Sequence, residues 1–220
     1  MSRILAFWHS TIGKKIVMGL TGLIMIGFLA MHMLGNLQAF AGGPTLDAYA
    51  ALLHGPLHEV VLLTRVVLLG AVALHLIAAY QLTKIDRAAR PVAYARQAPQ
   101  ASTLASRTLR VGGVLLLVFI VFHLLHFTVG SVHPDFIEGS VFHNLVTGLA
   151  RPVVALFYLL AMVSLGLHLY HGAWSSFRTL GLSRVSQHPL QRPVALGIAV
   201  VLWLGFSAIP VAVLLGWIHE

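Results

Sequence analysis

Five stretches of this chain are apolar for about twenty residues at a time: 16–37, 60–82, 111–129, 152–174 and 194–218. A helix rises 1.5 Å per residue, so roughly 20 apolar residues cross the ~30 Å hydrocarbon core of a bilayer. Membrane barrels are built from ~10-residue strands of alternating character. These runs are too long and too continuously apolar for that. The expected fold class is therefore all-α, an integral membrane bundle of five transmembrane helices forming a single domain over residues 1–220. Composition agrees: 58% of residues are hydrophobic and 9% charged, against about 25% charged in a soluble domain. Such a chain could not clothe a surface in water, and it leaves no room for a hydrophilic catalytic domain.

Turn-forming or charged segments separate the runs. Gly42-Gly43-Pro44 and Gly55-Pro56 interrupt the first connection, and Pro91 and Pro99 punctuate the polar stretch 84–110. His133-Pro134-Asp135 marks the third connection, and 183–193 forms the fourth. The basic residues divide unevenly among them. Arg3, Lys14 and Lys15 precede the first span; Lys84, Arg87, Arg90, Arg96, Arg107 and Arg110 follow the second; Arg178, Arg184 and Arg192 follow the fourth. Twelve of fourteen thus fall on one side, with Arg65 and Arg151 as exceptions near the other ends of their spans. Asp47, Glu59, Asp135, Glu138 and Glu220 fall on the opposite side. Lys and Arg are retained on the cytoplasmic face, so the N-terminus is expected in the cytoplasm and the C-terminus outside. The net charge of +8 is read as topology, with membrane lipid and not nucleic acid as the surrounding partner. Lys14 and Lys15 precede the first apolar run, but no small-residue cleavage site follows before His32, so no cleaved signal peptide is expected. With no cysteine in the chain, disulfides, iron–sulfur clusters, thiolate metal sites and covalently attached haem are excluded.

Thirteen histidines remain to be explained. Ionisable side chains inside a span are costly and mark function. His32 lies in the first span, His75 in the second, His123 and His126 in the third, and His168 and His171 in the fourth; no Asp, Glu, Lys or Arg lies deep in any span. A proton-relay transporter would be expected to bury a carboxylate. Imidazoles without carboxylate or thiolate suit axial ligation of haem iron in the core of a helix bundle. At 1.5 Å per residue, His75 lies roughly 14 Å from Lys84, and His168 roughly 15 Å from Arg178. His32 lies roughly 25 Å beyond Lys15, with His123 and His126 roughly 20 and 24 Å beyond Arg110. Two depth layers result, each drawing one histidine from each of two helices. Depth alone does not choose between His123 and His126, nor between His168 and His171. His54, His58, His133, His143, His188 and His219 fall near the interface or in loops and are expected to be mostly solvated.

Several local motifs are distinctive. Trp8-His9-Ser10 precedes Gly13-Lys14-Lys15, and Thr21-Gly22-Leu23 leads to His32-Met33-Leu34-Gly35-Asn36. Phe122-His123-Leu124 follows in the third span, and His168-Leu169-Tyr170-His171-Gly172-Ala173-Trp174-Ser175 in the fourth, ending in Leu180-Gly181-Leu182. Across essentially its whole length the chain resembles the cytochrome b membrane anchor of succinate dehydrogenases and quinol:fumarate reductases (respiratory complex II), of the single-chain, five-helix, dihaem type. In related anchors a ligand histidine is followed four residues later by Gly, here Gly172, and six later by an aromatic, here Trp174. A Trp-Gly-like element ends the segment, here Leu180-Gly181, which selects His168. The related third span has a Gly ten residues before its ligand, as Gly113 stands before His123.

The resemblance implies two haems b, the outer held by His32 and His123 and the inner by His75 and His168. Gly27, Gly113 and Gly172 would admit a porphyrin or a neighbouring helix closely. Arg178, with Ser10 and Arg110 behind it, is the candidate partner for the haem propionates. It further implies an iron–sulfur subunit and a flavoprotein subunit docked on the cytoplasmic side, and electron flow from succinate through both haems to a membrane quinone. Menaquinone is expected, in a bacterial or archaeal-type cytoplasmic membrane, and the resemblance is compatible with trimers of the complex. The chain would then be an electron-transfer subunit without catalytic activity of its own. Glu59, with His58 and His54 at the outer mouth of the second span, is the candidate proton-exchanging group of a quinone site. An inner site near the iron–sulfur subunit is the alternative. Two other readings are a dihaem quinol-oxidising anchor of another respiratory enzyme and a haem-free, histidine-rich transporter.

Overall fold

The structure, a computed structural model, describes residues 2–89, 103–182 and 190–220. Arg90, Pro91, Arg96, Pro99, Arg184 and His188 lie outside the described residues. Within them every regular element is a helix. The first is α1 (Arg3–His9), which runs into α2 (Thr11–Asn36) across Ser10. The Ser10 hydroxyl accepts from Gly13 N–H and donates to Phe7 O, both at 2.8 Å, so it starts one helix and ends the other. This is the usual work of serine at an N-cap. Lys14 is 5% exposed. Its ammonium donates to the carbonyls of Trp8 (2.6 Å) and His9 (3.0 Å), closing the end of α1.

A 3₁₀ turn, Leu37–Ala41, continues α2. Gly42, at a φ of 97°, then turns the chain into α3 (Gly43–His54), with Pro44 in its first turn, where a missing N–H costs nothing. The long helix α4 (His58–Ala88) follows, then α5 (Leu104–Phe127), opened by a reciprocal Thr103–Ser106 capping box. The remaining helices are α6 (Val141–Leu149), α7 (Pro152–Thr179) and α8 (Gln191–Leu214). Five of these, α2, α4, α5, α7 and α8, are long and apolar enough to cross a membrane. The chain is a multi-pass membrane protein.

The helices overrun the apolar runs at the basic end. Helix α2 starts five residues before position 16, α4 ends six after 82, α5 starts seven before 111 and α7 ends five after 174. Charged side chains do not stop a helix; they mark where it leaves the hydrocarbon. At the other end α5 stops at Phe127 and α8 at Leu214, short of the runs, because Gly130 and Gly216 take left-handed φ values of 79° and 70°.

Helix α7 is the hub. It packs on α8, α5 and α2, while α4 packs on α2. A third of the most apolar window of α7 is buried against 6% of that of α4, so α4 faces mainly outward. Small residues permit the close approaches: Ala155, Ala161, Ala173, Ala195, Ala199 and Ala212 are nearly inaccessible. Membrane helices have little hydrophobic drive to associate, and small residues let backbones meet. At the basic end Arg110 bridges to Asp86 at 2.9 Å, joining α5 to α4.

The opposite end carries a cap that the turn signals had marked only as loops. Asp47 of α3 accepts the Phe142 N–H at 2.9 Å, tying α3 to α6. The Asn144 amide accepts from Ile137 N–H and donates to Ile137 O, at 2.9 and 2.8 Å. His133 Nε2 donates to Asn144 O at 2.8 Å and its Nδ1 accepts from Asp135 N–H at 3.0 Å. His143 bonds Glu220 through Nδ1 and lies 3.3 Å from an Asp135 carboxylate oxygen through Nε2. His133 and His143 are thus fastened into the cap and are not merely solvated. Beneath it a core of Leu46, Leu145, Val146, Leu149, Tyr158, Ile209 and Val213 joins α3, α6, α7 and α8.

Candidate functional site

Four helices bring histidines together in two facing pairs. His32 of α2 and His123 of α5 have ring centroids 5.9 Å apart, with planes crossing at 81°. His75 of α4 and His168 of α7 are 6.2 Å apart at 52°. The backbones of these partners are not the ones in closest contact: α2 packs on α4 and α7, and α5 on α7. The imidazoles therefore reach towards each other across the bundle. His75–His168 lies towards the basic end and His32–His123 towards the cap. Gly22 and His32 stand ten residues apart on α2, which at 1.5 Å per residue separates the two levels by about 15 Å.

At the basic-side pair, His75 Nδ1 lies 3.2 Å from both Met18 O and Thr21 Oγ1. The Thr21 hydroxyl spends its own hydrogen on Val17 O at 2.8 Å. His75 must therefore be the donor, with its hydrogen on Nδ1 and a free lone pair on Nε2. A Cβ added to Gly22 would lie 3.7 Å from His75 Cε1, and one added to Gly113 would lie 3.7 Å from His168 Cε1. Each ring thus stands over bare backbone of a neighbouring helix. Among the described residues His168 Nδ1 is buried without a hydrogen-bond partner. Beside it a cleft of about 360 Å³ opens between α5 and α7, with Arg107, Ser164 and His168 in its wall.

The cap-side pair is enclosed instead by aromatic rings. Phe28 stacks on His32 at 5.3 Å and Phe206 of α8 lies 5.8 Å from it. Phe119 stacks on His123 at 5.7 Å, with Phe127 also 5.7 Å away. The Asn36 amide donates to His32 Nε2 at 3.1 Å, and Tyr158 Oη is 3.3 Å from His123 Nδ1. Among the described residues no three of His, Asp and Glu converge as a metal site would require. What the pairs offer is two nitrogens each. An ion held wholly by protein side chains needs more, whereas one already held in a plane by a macrocycle needs only two.

The other sequence candidates are scattered. His126 and His171 do not face a histidine of another span, since His126 turns to His133 at 4.9 Å and His171 to Trp174 at 6.2 Å. Ser10 is engaged as a helix cap and Arg110 as an ion-pair partner. Arg178 lies over the Trp174 ring at 5.4 Å, with Arg192 over the same ring at 4.9 Å. Glu59 and His58 are exposed in the first turn of α4, sixteen residues or about 24 Å from His75. His54 bonds Ala50 O within its own helix. Gly27 and Gly172 face open space.

Sequence reasoning passed over Thr21, Asn36 and Tyr158 as partners of the pairs. A signal existed for Tyr158. On α2 and α5 the residue ten before the cap-side histidine is a glycine at the other level, and on α7 the residue ten before His168 is Tyr158. No family model, curated protein or solved structure matches this chain.

Proposed function

We propose that this protein is a dihaem cytochrome b membrane anchor of the succinate dehydrogenase and fumarate reductase type, passing electrons between a peripheral iron–sulfur subunit and a membrane quinone. The observation that carries the reading is the pair of facing imidazoles at each of two levels, drawn from four helices and free of carboxylates. Imidazole–metal bonds are about 2 Å long, so the 5.9 and 6.2 Å separations would leave room for one metal ion between the rings of each pair. Bound haem iron supplies one-electron redox chemistry.

The chain's own residues do the rest. Met18 and Thr21 hold the hydrogen of His75 on Nδ1, leaving Nε2 free, as outer partners of metal-bound histidines commonly do. His168 brings a buried imidazole with nothing else bound to Nδ1. Gly22 and Gly113 keep Cβ atoms away from the basic-side rings, and the phenylalanines exclude water from the cap-side pair. To hold a metal through Nε2, His32 would give up the Asn36 amide, a hydrogen bond worth about 1 kcal/mol net. Two levels about 15 Å apart make the route transmembrane. Arg178, which shares the Trp174 ring with Arg192 at the basic end, is the cation proposed for the propionates.

By the positive-inside rule the basic end, with the N-terminus, is cytoplasmic and the cap lies outside. The iron–sulfur and flavoprotein subunits dock at the basic end, and the membrane is a cytoplasmic one. Menaquinone is the favoured quinone, with Glu59 its proton-exchanging partner. The test is a pyridine haemochrome assay on the detergent-purified complex. Two haems b per 220-residue chain is the expected result. One would mean that one pair is structural, and a colourless protein after expression with ample haem overturns the reading.

A further inference from the structure

Tyr158 of α7 and His126 of α5 belong to neither pair, yet they are 7% and 0% exposed. The phenol oxygen of Tyr158 lies 3.3 Å from His123 Nδ1 and 3.0 Å from His126 Nδ1. A phenol carries one hydrogen, so it donates to one of these nitrogens and accepts from the other. With His123 Nε2 free to bind a metal, the His123 hydrogen is on Nδ1 and goes to the Tyr158 oxygen. The Tyr158 hydroxyl then donates to His126 Nδ1, which places the His126 hydrogen on Nε2. Among the described residues that atom is buried without a hydrogen-bond partner. Packing fixes His126 in this position: Phe122 stacks on it at 5.3 Å, and a Cβ on Gly148 would come within 3.0 Å of its Nε2. A buried imidazole that forgoes one hydrogen bond carries a desolvation cost. It orients the Tyr158 hydroxyl, and through it His123. On the other level His168 has no such support.

We propose that Tyr158, held by His126, is a positioning residue for the haem ligated by His32 and His123, fixing the tautomer of His123 and lowering that haem's potential. The inference rests on the bis-histidine reading above. A hydrogen bond accepted from the far N–H of a metal-bound imidazole raises the basicity of the ligand, and a more basic ligand favours the ferric state. The Tyr158 hydroxyl is the acceptor for His123, as Met18 O and Thr21 are for His75.

Redox titration of the detergent-purified complex, followed in the haem absorption bands, tests this in the wild type, Tyr158→Phe and His126→Leu. In Tyr158→Phe, which keeps the ring, two haems remain and one midpoint rises by about tenfold in the ferric–ferrous equilibrium, about 59 mV for one electron. The other midpoint stays in place. His126→Leu moves the same midpoint in the same direction by less, because Tyr158 can still accept from His123. Unchanged midpoints in Tyr158→Phe overturn the proposal, as does an equal shift of both, which would mark a general structural effect. If Tyr158→Phe fails to retain the cap-side haem, His126→Leu decides, and unchanged midpoints there overturn it. A wild-type protein without haem is a different result and overturns the cytochrome reading instead.

Discussion

At the basic side, His75 and His168 stand over the bare backbone of Gly22 and Gly113, and the His75 hydrogen is tied to a backbone carbonyl. At the cap side, His32 and His123 are wrapped by Phe28, Phe119, Phe127 and Phe206, and His123 is backed by the side chain of Tyr158. The ligand type is the same at both levels and the ring separations differ by only 0.3 Å. The surroundings differ in kind. Glycines make room; phenylalanines fill space and lower the local dielectric. If both pairs hold haem as proposed, two like pairs of imidazoles would be given different potentials by what stands behind and beside them.

Removing a ligand from either level tests that independence most severely. His168→Ala and His123→Ala should each reduce two haems to one, and the absorption bands lost should differ between them. Loss of both haems from either variant would show that the levels form one cooperative unit. Gly113→Ala comes next. The added Cβ meets His168 only at 3.7 Å, and Ala is about 1 kcal/mol better than Gly inside a helix. The helix therefore stands, while a macrocycle beside His168 is crowded. Partial loss or a spectral shift of the basic-side haem alone is expected, and an unperturbed spectrum would show that nothing occupies the space over Gly113.

Thr21→Val should act more weakly than the Tyr158 variant, and on the other midpoint. Met18 O still accepts from His75 when the Thr21 hydroxyl is gone, so only the low end of a hydrogen bond's ~0.5–1.5 kcal/mol is lost. An upward shift of about twofold in the equilibrium follows from that value. The smallest effect lies in the cap. The Glu220 hydrogen bond, followed by the neighbouring Asp135, raises the His143 pKa above its ordinary value. A raised folded value stabilises the cap fully below the ordinary histidine pKa of about 6.5 and loses that contribution as pH rises through the folded value. Proteolytic sensitivity of the cap should therefore increase on going to alkaline pH in the wild type. Glu220→Gln should flatten that dependence, and an identical profile in both would remove His143 as its source.

Much of this architecture can be read along the chain, for reasons that differ by region. Spans need only length and apolarity, both local properties, so all five are visible at once. Their ends are not, because helix hydrogen bonding continues past the apolar run through Lys84 and Arg87 to Ala88. The cap is hidden for the opposite reason. Its helices α3 and α6 are short, and they are held by contacts between distant residues, such as Asp47 with Phe142. The histidine levels come from counting 1.5 Å steps from charged ends, which works because the rise per residue of a helix is constant. Rotation about the helix axis is not given by counting. Depth therefore does not choose between His126 and His123, and only packing turns one towards His133 and the other towards His32.

What the amino-acid order determines alone is that this chain lives in a membrane, crosses it with five helices, gathers its basic residues at one end and carries imidazoles at two depths. These follow from transfer energies and helix rise, which depend on each residue and its near neighbours. The tertiary structure decides which imidazoles meet, which nitrogen of each is free, and that a tyrosine ten residues from His168 backs a histidine on another helix. Those outcomes depend on how α7 is rotated against α5, α2 and α8, and that rotation is set by the small residues and aromatic rings through which the helices touch.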